Sequence, residues 1–333
     1  METLIFVFSL VILGLIDEPE VQSAAAAPQI DYTSLCRELA SPTNVPKIEN
    51  IASDRASEVC GKAIDIGNPT AEVKFLLGRS LVEDHAEAAL VYLQSSADEE
   101  YADALMLLAE VYQDGLFGQA KDFDTQNNYR ERAALSGSVE AAESLFLGYY
   151  LAADEVPEFY SDAFKWAVLA AKLDSAQAHS TLGFMFQIGQ GVGRNYGKAA
   201  SWHEKAGEMG LLDNYRFAAM IYDDGHGNVA QDPSKAAILY MKAAKGGLLK
   251  AQTEMGRRKL SGIGVPIDIS EGLSFLKTAV DRGDSRAQFL LGLEYLIGDS
   301  VERDQYLGRQ LLEQAASQDE EDAISLLKQM DDL

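Results

Sequence analysis

Residues 178–206, AHSTLGFMFQIGQGVGRNYGKAASWHEKA, read as two short helices joined by a glycine-rich turn. Spaced copies of its small residues recur from about residue 70 to the end. Ala104, Ala141, Ala178, Asn214, Ala251 and Ala287 share one frame, at separations of 37, 37, 36, 37 and 36 residues. A period of that length marks stacked helical hairpins, in which each unit buries its apolar face against its neighbours. The fold class is therefore all-α, a solenoid of antiparallel helix pairs.

Within each unit the first helix carries a small residue, an apolar residue four on, a second small residue five on and an aromatic eight on. Ala178, Leu182, Gly183 and Phe186 make one copy, and Ala287, Leu291, Gly292 and Tyr295 another. These offsets lie on one helical face, where small side chains let the paired helix approach. Gly115, Gly189, Gly225, Gly262 and Gly298 then fall where a left-handed residue ends a helix. The loops after them, such as GQGVGRN, are turn chemistry rather than a phosphate cradle, since no strand precedes them.

The second helix repeats as well. Small residues at Ala89, Ala163, Ala199, Ala236, Gly272 and Gly308 stand seven before Ser96, Ala170, Ala206, Ala243, Ala279 and Ala315. Between them runs a large apolar column, Tyr92, Tyr129, Trp166, Trp202, Leu239, Phe275 and Leu311, which we expect to form the core between paired helices.

The pattern A-x-x-x-L-G-x-x-Y-x-x-G-x-G-V, followed by D/N-x-x-K-A-x-x-W-x-x-K-A-A, resembles the SEL-one-like repeat family, a relation of the tetratricopeptide repeats. Gly183, Gly189, Gly191, Val192, Asn195, Lys198, Ala199, Trp202 and Lys205 carry it in one unit, and Gly225, Gly227, Asp232, Lys235, Ala236, Lys242 and Ala243 in the next. The resemblance covers seven units over residues 68–320 and implies a right-handed superhelix with first helices on its concave side. The third unit departs from the pattern: Phe146 takes the second small position, and its loop AADEVPEFY lacks the glycine pair. Residues 321–333 restart the frame and read as a C-terminal capping helix.

Ahead of the repeats, Leu4–Ile16 is a continuous apolar run followed by small residues at Ser23–Ala27. It is shorter than the roughly 20 residues of a membrane span, so residues 1–26 read as a signal peptide and the mature chain as periplasmic or secreted, without membrane insertion. The segment lacks the usual basic start: its first residues carry Glu2, and the first basic residue in the chain is Arg37. An uncleaved tether and a misplaced start stay open. Residues 27–67 read as an N-terminal helical cap. The two cysteines, Cys36 and Cys60, both lie in it, and in an exported chain they suggest one disulfide, with two buried free thiols as the alternative.

The chain has 333 residues, with 28 Lys and Arg against 52 Asp and Glu, a net charge of -24. So acidic a surface repels phosphate backbones and anionic lipid, which excludes nucleic acid as a partner. His85, His179, His203 and His226 fall at unrelated offsets, none spaced as helical metal ligands, and no nucleophile is given a base. We therefore expect no enzyme and no cofactor. In secreted members of the resembled family that have been associated with penicillin binding or β-lactamase activity, cysteine pairs recur in each repeat; here the repeats are cysteine-free. A hydrolase acting on cell-wall or β-lactam substrates is the alternative that this argues against.

What the resemblance implies is a monomeric scaffold with a protein partner in the concave groove, regulating envelope signalling or engaging host proteins. The binding face must use first-helix offsets that pairing does not consume, namely 2, 6 and 9. In the middle units these are Ser180, Phe184 and Gln187; Arg216, Met220 and Asp223; Thr253, Arg257 and Leu260. The expected binding residues are Phe184, Gln187, Arg216, Met220, Asp223 and Arg257, where apolar anchors stand beside arginines.

Overall fold

A computed structural model describes residues 30–43, 53–67 and 69–331. The expected signal peptide lies outside the described residues. Seventeen helices are present among the described residues, with no strand. The chain divides into two compact units, one ending at Ser96 and the other running from Ala97 to the C-terminus.

The first unit holds α1 (Tyr32–Ala40), α2 (Ser53–Asp65), α3 (Ala71–Ser80) and α4 (Ala86–Ala97). Cys36 on α1 and Cys60 on α2 are fully buried and form a disulfide. In a chain-entropy model a loop of this length stabilises by about 3 kcal/mol, a sizeable share for so small a unit. Arg37 reaches Glu72 at the start of α3 (2.7 Å), and the buried Arg79 guanidinium donates to the Ala40 carbonyl (2.6 Å), tying α3 to the end of α1.

The second unit is the repeat array proper. Its pairs are α5 (Ala102–Asp114) with α6 (Phe123–Leu135), α7 (Val139–Ala152) with α8 (Phe159–Lys172), α9 (Ala176–Ile188) with α10 (Tyr196–Glu208), α11 (Asp213–Asp224) with α12 (Pro233–Lys245), α13 (Leu249–Ser261) with α14 (Ile269–Asp281), and α15 (Ser285–Ile297) with α16 (Gln305–Ala316). A last helix, α17 (Glu321–Asp331), buries Ala323 against Leu312 and Ala315 of α16.

The turn between paired helices has one construction. Gly115, Gly189, Gly225, Gly262 and Gly298 adopt the left-handed conformation, each donating to the carbonyl four residues back. The second helix then starts on an Asx cap: Asp122, Asn195, Asp232, Asp268 and Asp304 accept from the backbone N–H three residues on. Each cap's own N–H returns to the carbonyl at offset 8 of the first helix, as from Asn195 to Phe186 (2.8 Å). The second loop glycine has a steric reason. A Cβ on Gly191 would stand 2.1 Å from the Tyr160 carbonyl oxygen, and one on Gly264 would stand 2.0 Å from that of Pro233. The loop therefore presses on the start of the preceding second helix. In the third unit, without these glycines, α7 ends on Ala153 in a right-handed conformation.

The small columns behave as expected: Ala104, Ala141, Ala178, Ala251 and Ala287 are fully buried. The aromatic column does not form the core as a whole. Tyr129, Leu239 and Leu311 are buried, but Tyr92, Trp166, Trp202 and Phe275 are only half-buried. In five units full burial falls one residue later, at Leu93, Ala167, His203, Leu276 and Leu312, whereas on α6 and α12 the buried position stays at Tyr129 and Leu239, ahead of half-buried Arg130 and of Tyr240. In α10 the buried stripe is Ala199, Ala200, His203, Ala206 and Gly207. A residue three after Ala199 sits on the rim of that stripe, and one four after it sits at the centre. Trp202 thus lies at the rim, edge-on to His179 of α9 with centroids 5.2 Å apart.

Candidate protein-binding face

The six expected residues lie on three successive first helices, α9, α11 and α13, and the structure gathers them into two adjoining groups. The first is aromatic and apolar. Half-buried Phe184 meets Phe217 edge-on (centroids 5.0 Å) and the buried His203 ring at 4.7 Å. Arg216 stacks over Phe217 at 4.5 Å, is held by Asp213 Oδ1 (3.0 Å) and touches the Met220 sulfur (3.5 Å). Met220 itself is exposed. Gln187, one turn beyond Phe184, is half-buried, and its Oε1 has no partner.

The second group is ionic. Asp223 pairs with Arg258, a guanidinium only 1% exposed. Arg258 also donates to Glu254 Oε1 (2.8 Å) and stacks over Tyr240 at 4.7 Å. Arg257 grips the same Glu254 through Nε (3.0 Å) and Nη2 (2.5 Å). Burial, and then the Asp223 and Glu254 charges, push the Tyr240 hydroxyl well above the ordinary phenol range. Glu254 sets Arg257 in a fixed, still reachable position, since the Arg257 side chain is half-exposed.

Two of the nine offset positions are not surface at all. Ser180 and Thr253 are buried, and Thr253 Oγ1 donates to Asp284 Oδ1 (2.9 Å), the cap of the next first helix. Offset 2 therefore serves the joint between units, and only Arg216 there reaches outward. The residues that organise the face were missed by the offset argument. Arg258 stands at offset 7, where Val111, Met185 and Ile221 are buried, and His203 stands where Leu276 and Leu312 are buried. Aligned by offset, the two columns hold Glu294 and Arg130 as well, so neither Arg258 nor His203 stands out from the sequence alone.

Among the described residues no group of three or more His, Cys, Asp or Glu side chains is placed to hold a metal ion, and no helix is long and apolar enough to cross a membrane. What the geometry offers is a rigid, mixed apolar and charged helical face, which defines a repeat scaffold. The chain belongs to the Sel1 repeat family: residues 102–125, 145–175, 176–211, 214–248, 249–284 and 285–320 match the Sel1 repeat, together more than half of its length. The helix pair α3 and α4, the first of the seven units expected from the sequence, lies outside those stretches.

The chain is 33% identical over 129 residues to the chitin synthase regulator SKT5 of Saccharomyces cerevisiae, covering 38% of this chain and 18% of that protein. It is 23% identical over 251 residues to chitin synthase regulatory factor 3 of Schizosaccharomyces pombe, covering 70% of this chain and 26% of the relative. It spans about a quarter or less of the length of these relatives. Among solved structures it resembles a protective antigen of uropathogenic Escherichia coli strains with an SLR fold, at a TM-score of 0.59 and 24% identity, over 80% of this chain and 57% of that one. That likeness concerns the fold alone.

Proposed function

We propose that the chain is an exported, non-enzymatic scaffold that holds a protein partner in the groove formed by α9, α11 and α13, regulating envelope signalling or engaging host proteins. The observation that carries this reading is the face itself. Phe184, Arg216 and Arg257 stand on consecutive first helices, fixed by Phe217, Asp213 and Glu254 respectively, with exposed Met220 against Arg216. Aromatic and arginine side chains held in place are the groups that supply most of the free energy of protein recognition, because little conformational entropy remains to be lost on binding. The two fungal relatives are regulators of an enzyme, and a protein that regulates another acts through contact with it, which favours a protein partner here too.

The test is affinity capture from the envelope and secreted fractions of cells that make the protein, with wild type beside Phe184→Ala and Arg257→Glu. Wild type should enrich a partner that each variant recovers at least about tenfold less, the equivalent of roughly 1.4 kcal/mol. Capture of the same partner by folded variants at wild-type yield would contradict the assignment of this face.

A further inference from the structure

The third unit has a side chain missing from a buried column. Seven residues into the first-helix frame, Val111, Met185, Ile221 and Arg258 are buried and Glu294 is half-buried. The equivalent residue on α7 is Gly148, which is exposed, and a Cβ built there would meet nothing within 4 Å. A cavity of about 270 Å³ opens at this point, lined by Arg130, Ser144, Leu145, Gly148, Tyr149 and Phe159. Arg130 is held within the protein by Gln113 Oε1 (2.5 Å). Beside the trough formed by Gly148 and Ala152, Leu147 and Leu151 make an apolar ridge, 49% and 62% exposed. Leu147 occupies the offset of Phe184 and Met220, and Leu151 that of the exposed Ile188, so the apolar line continues onto α9 and α11.

Exposed carboxylates predominate along this stretch. Helix C-termini favour cations, yet α5, α7, α9 and α11 carry no basic residue in their last turns. Exposed Asp114, Asp154, Glu155 and Asp224 stand at or just beyond three of these ends instead. By contrast α13 ends with Arg258 and Lys259. Glu110 stands at the Leu147 offset on α5; desolvation, and then the charges of Glu140 and Asp114, raise its carboxyl above the ordinary range against the opposing charge of Arg130. Arg130 in the cleft and Arg194, which donates to the Ile188 carbonyl at the end of α9, are the opposing cations; the exposed carboxylates still leave a negative rim beside an apolar ridge and an open trough, complementary to a segment that is apolar on one side and basic on the other.

We propose that the cleft at Gly148, with the Leu147 and Leu151 ridge, docks a cationic amphipathic segment of a protein partner, one apolar side chain entering the trough and basic residues lying over the helix-end carboxylates. This rests on the scaffold reading and adds to it the chemistry of the partner and a second contact point, separate from Phe184 and Arg257.

The experiment uses the purified chain and two fluorescein-labelled helical peptides of matched length, one of Leu and Lys and one of Leu and Glu. Binding is read by fluorescence anisotropy at low and physiological salt, to wild type, Gly148→Met, Gly148→Ala and Leu147→Glu/Leu151→Glu. The Leu/Lys peptide should bind wild type at least about tenfold more tightly than the Leu/Glu peptide, and about fivefold or more less tightly to Gly148→Met, with Gly148→Ala between. The double Glu variant should lose more, although it adds negative charge. Equal binding of the Leu/Lys peptide to wild type and to folded Gly148→Met would mean bulk charge attraction and would overturn the proposal, as would no binding to wild type. Neither result bears on capture through Phe184 and Arg257, so the two readings fail separately.

Discussion

His203 is the residue whose surroundings are least like those of its counterparts. It is fully buried in a column that holds Leu276 and Leu312 elsewhere, and its Nδ1–H donates to Asn214 Oδ1 (2.7 Å) while Nε2 has no partner. Asn214 is in turn the one non-alanine among the six frame residues. The two departures are one feature: a polar pair replaces the Leu and Ala that meet between α14 and α15. A buried amide left unpaired costs about 1–3 kcal/mol, whereas replacing both partners by apolar groups is close to neutral. In chemical denaturation His203→Leu should therefore lose about that amount, and His203→Leu/Asn214→Ala should recover most of it.

The same pair gives a pH dependence of known sign. Burial lowers the proton affinity of His203, only partly offset by the Asn214 bond. The unfolded histidine takes up a proton near pH 6.5, before the folded one does. Stability from this site is thus intact above about pH 6.5 and falls as the pH drops below it toward the folded value. The double variant should lack this component of the acid limb; an identical pH profile in both proteins would contradict the burial argument.

At the scale of a helix, the question is which column holds the pair together. Leu276 is fully buried against Gly256, where a Cβ would stand 2.7 Å from the leucine. Leu276→Ala should cost about 2–5 kcal/mol. Trp202, on the rim beside His179 and with Lys205 5.5 Å from its ring, should cost clearly less despite its size. Urea titration of the two variants decides it, and a larger loss for Trp202→Ala would put the core on the aromatic column after all. Period, paired helices and glycine stops were legible in the sequence because turn and small-residue positions admit few side chains. The core column was off by one residue in the units of Tyr92, Trp166, Trp202 and Phe275, though not at Tyr129 or Leu239, because the rim and the centre of a helical stripe differ by only about 100° of rotation, and large aromatics are acceptable at both. The proposed binding face was expected as a set of offsets, of which Ser180 and Thr253 are buried. Its supports, Arg258 and Phe217, lie at positions set by packing with the next unit, which spacing along a single helix does not report.

At the scale of the whole chain, the family and the helix pairs constrain what the protein can do more than any single side chain does. Stacked pairs repeat one joint, and the proposed contact points are places where units differ: the Phe184 and Arg257 groups in the middle of the array and the Gly148 cleft before them. The central claim is that the partner lies on first helices and not on second ones. Its most direct test is photo-crosslinking with benzoylphenylalanine placed at Phe184 or Met220 on first helices, and at exposed Lys165 or Ser201 on second helices. Adducts to one partner should form from positions 184 and 220 and none from 165 and 201; adducts of equal yield from both faces, or only from the second helices, would place the partner elsewhere.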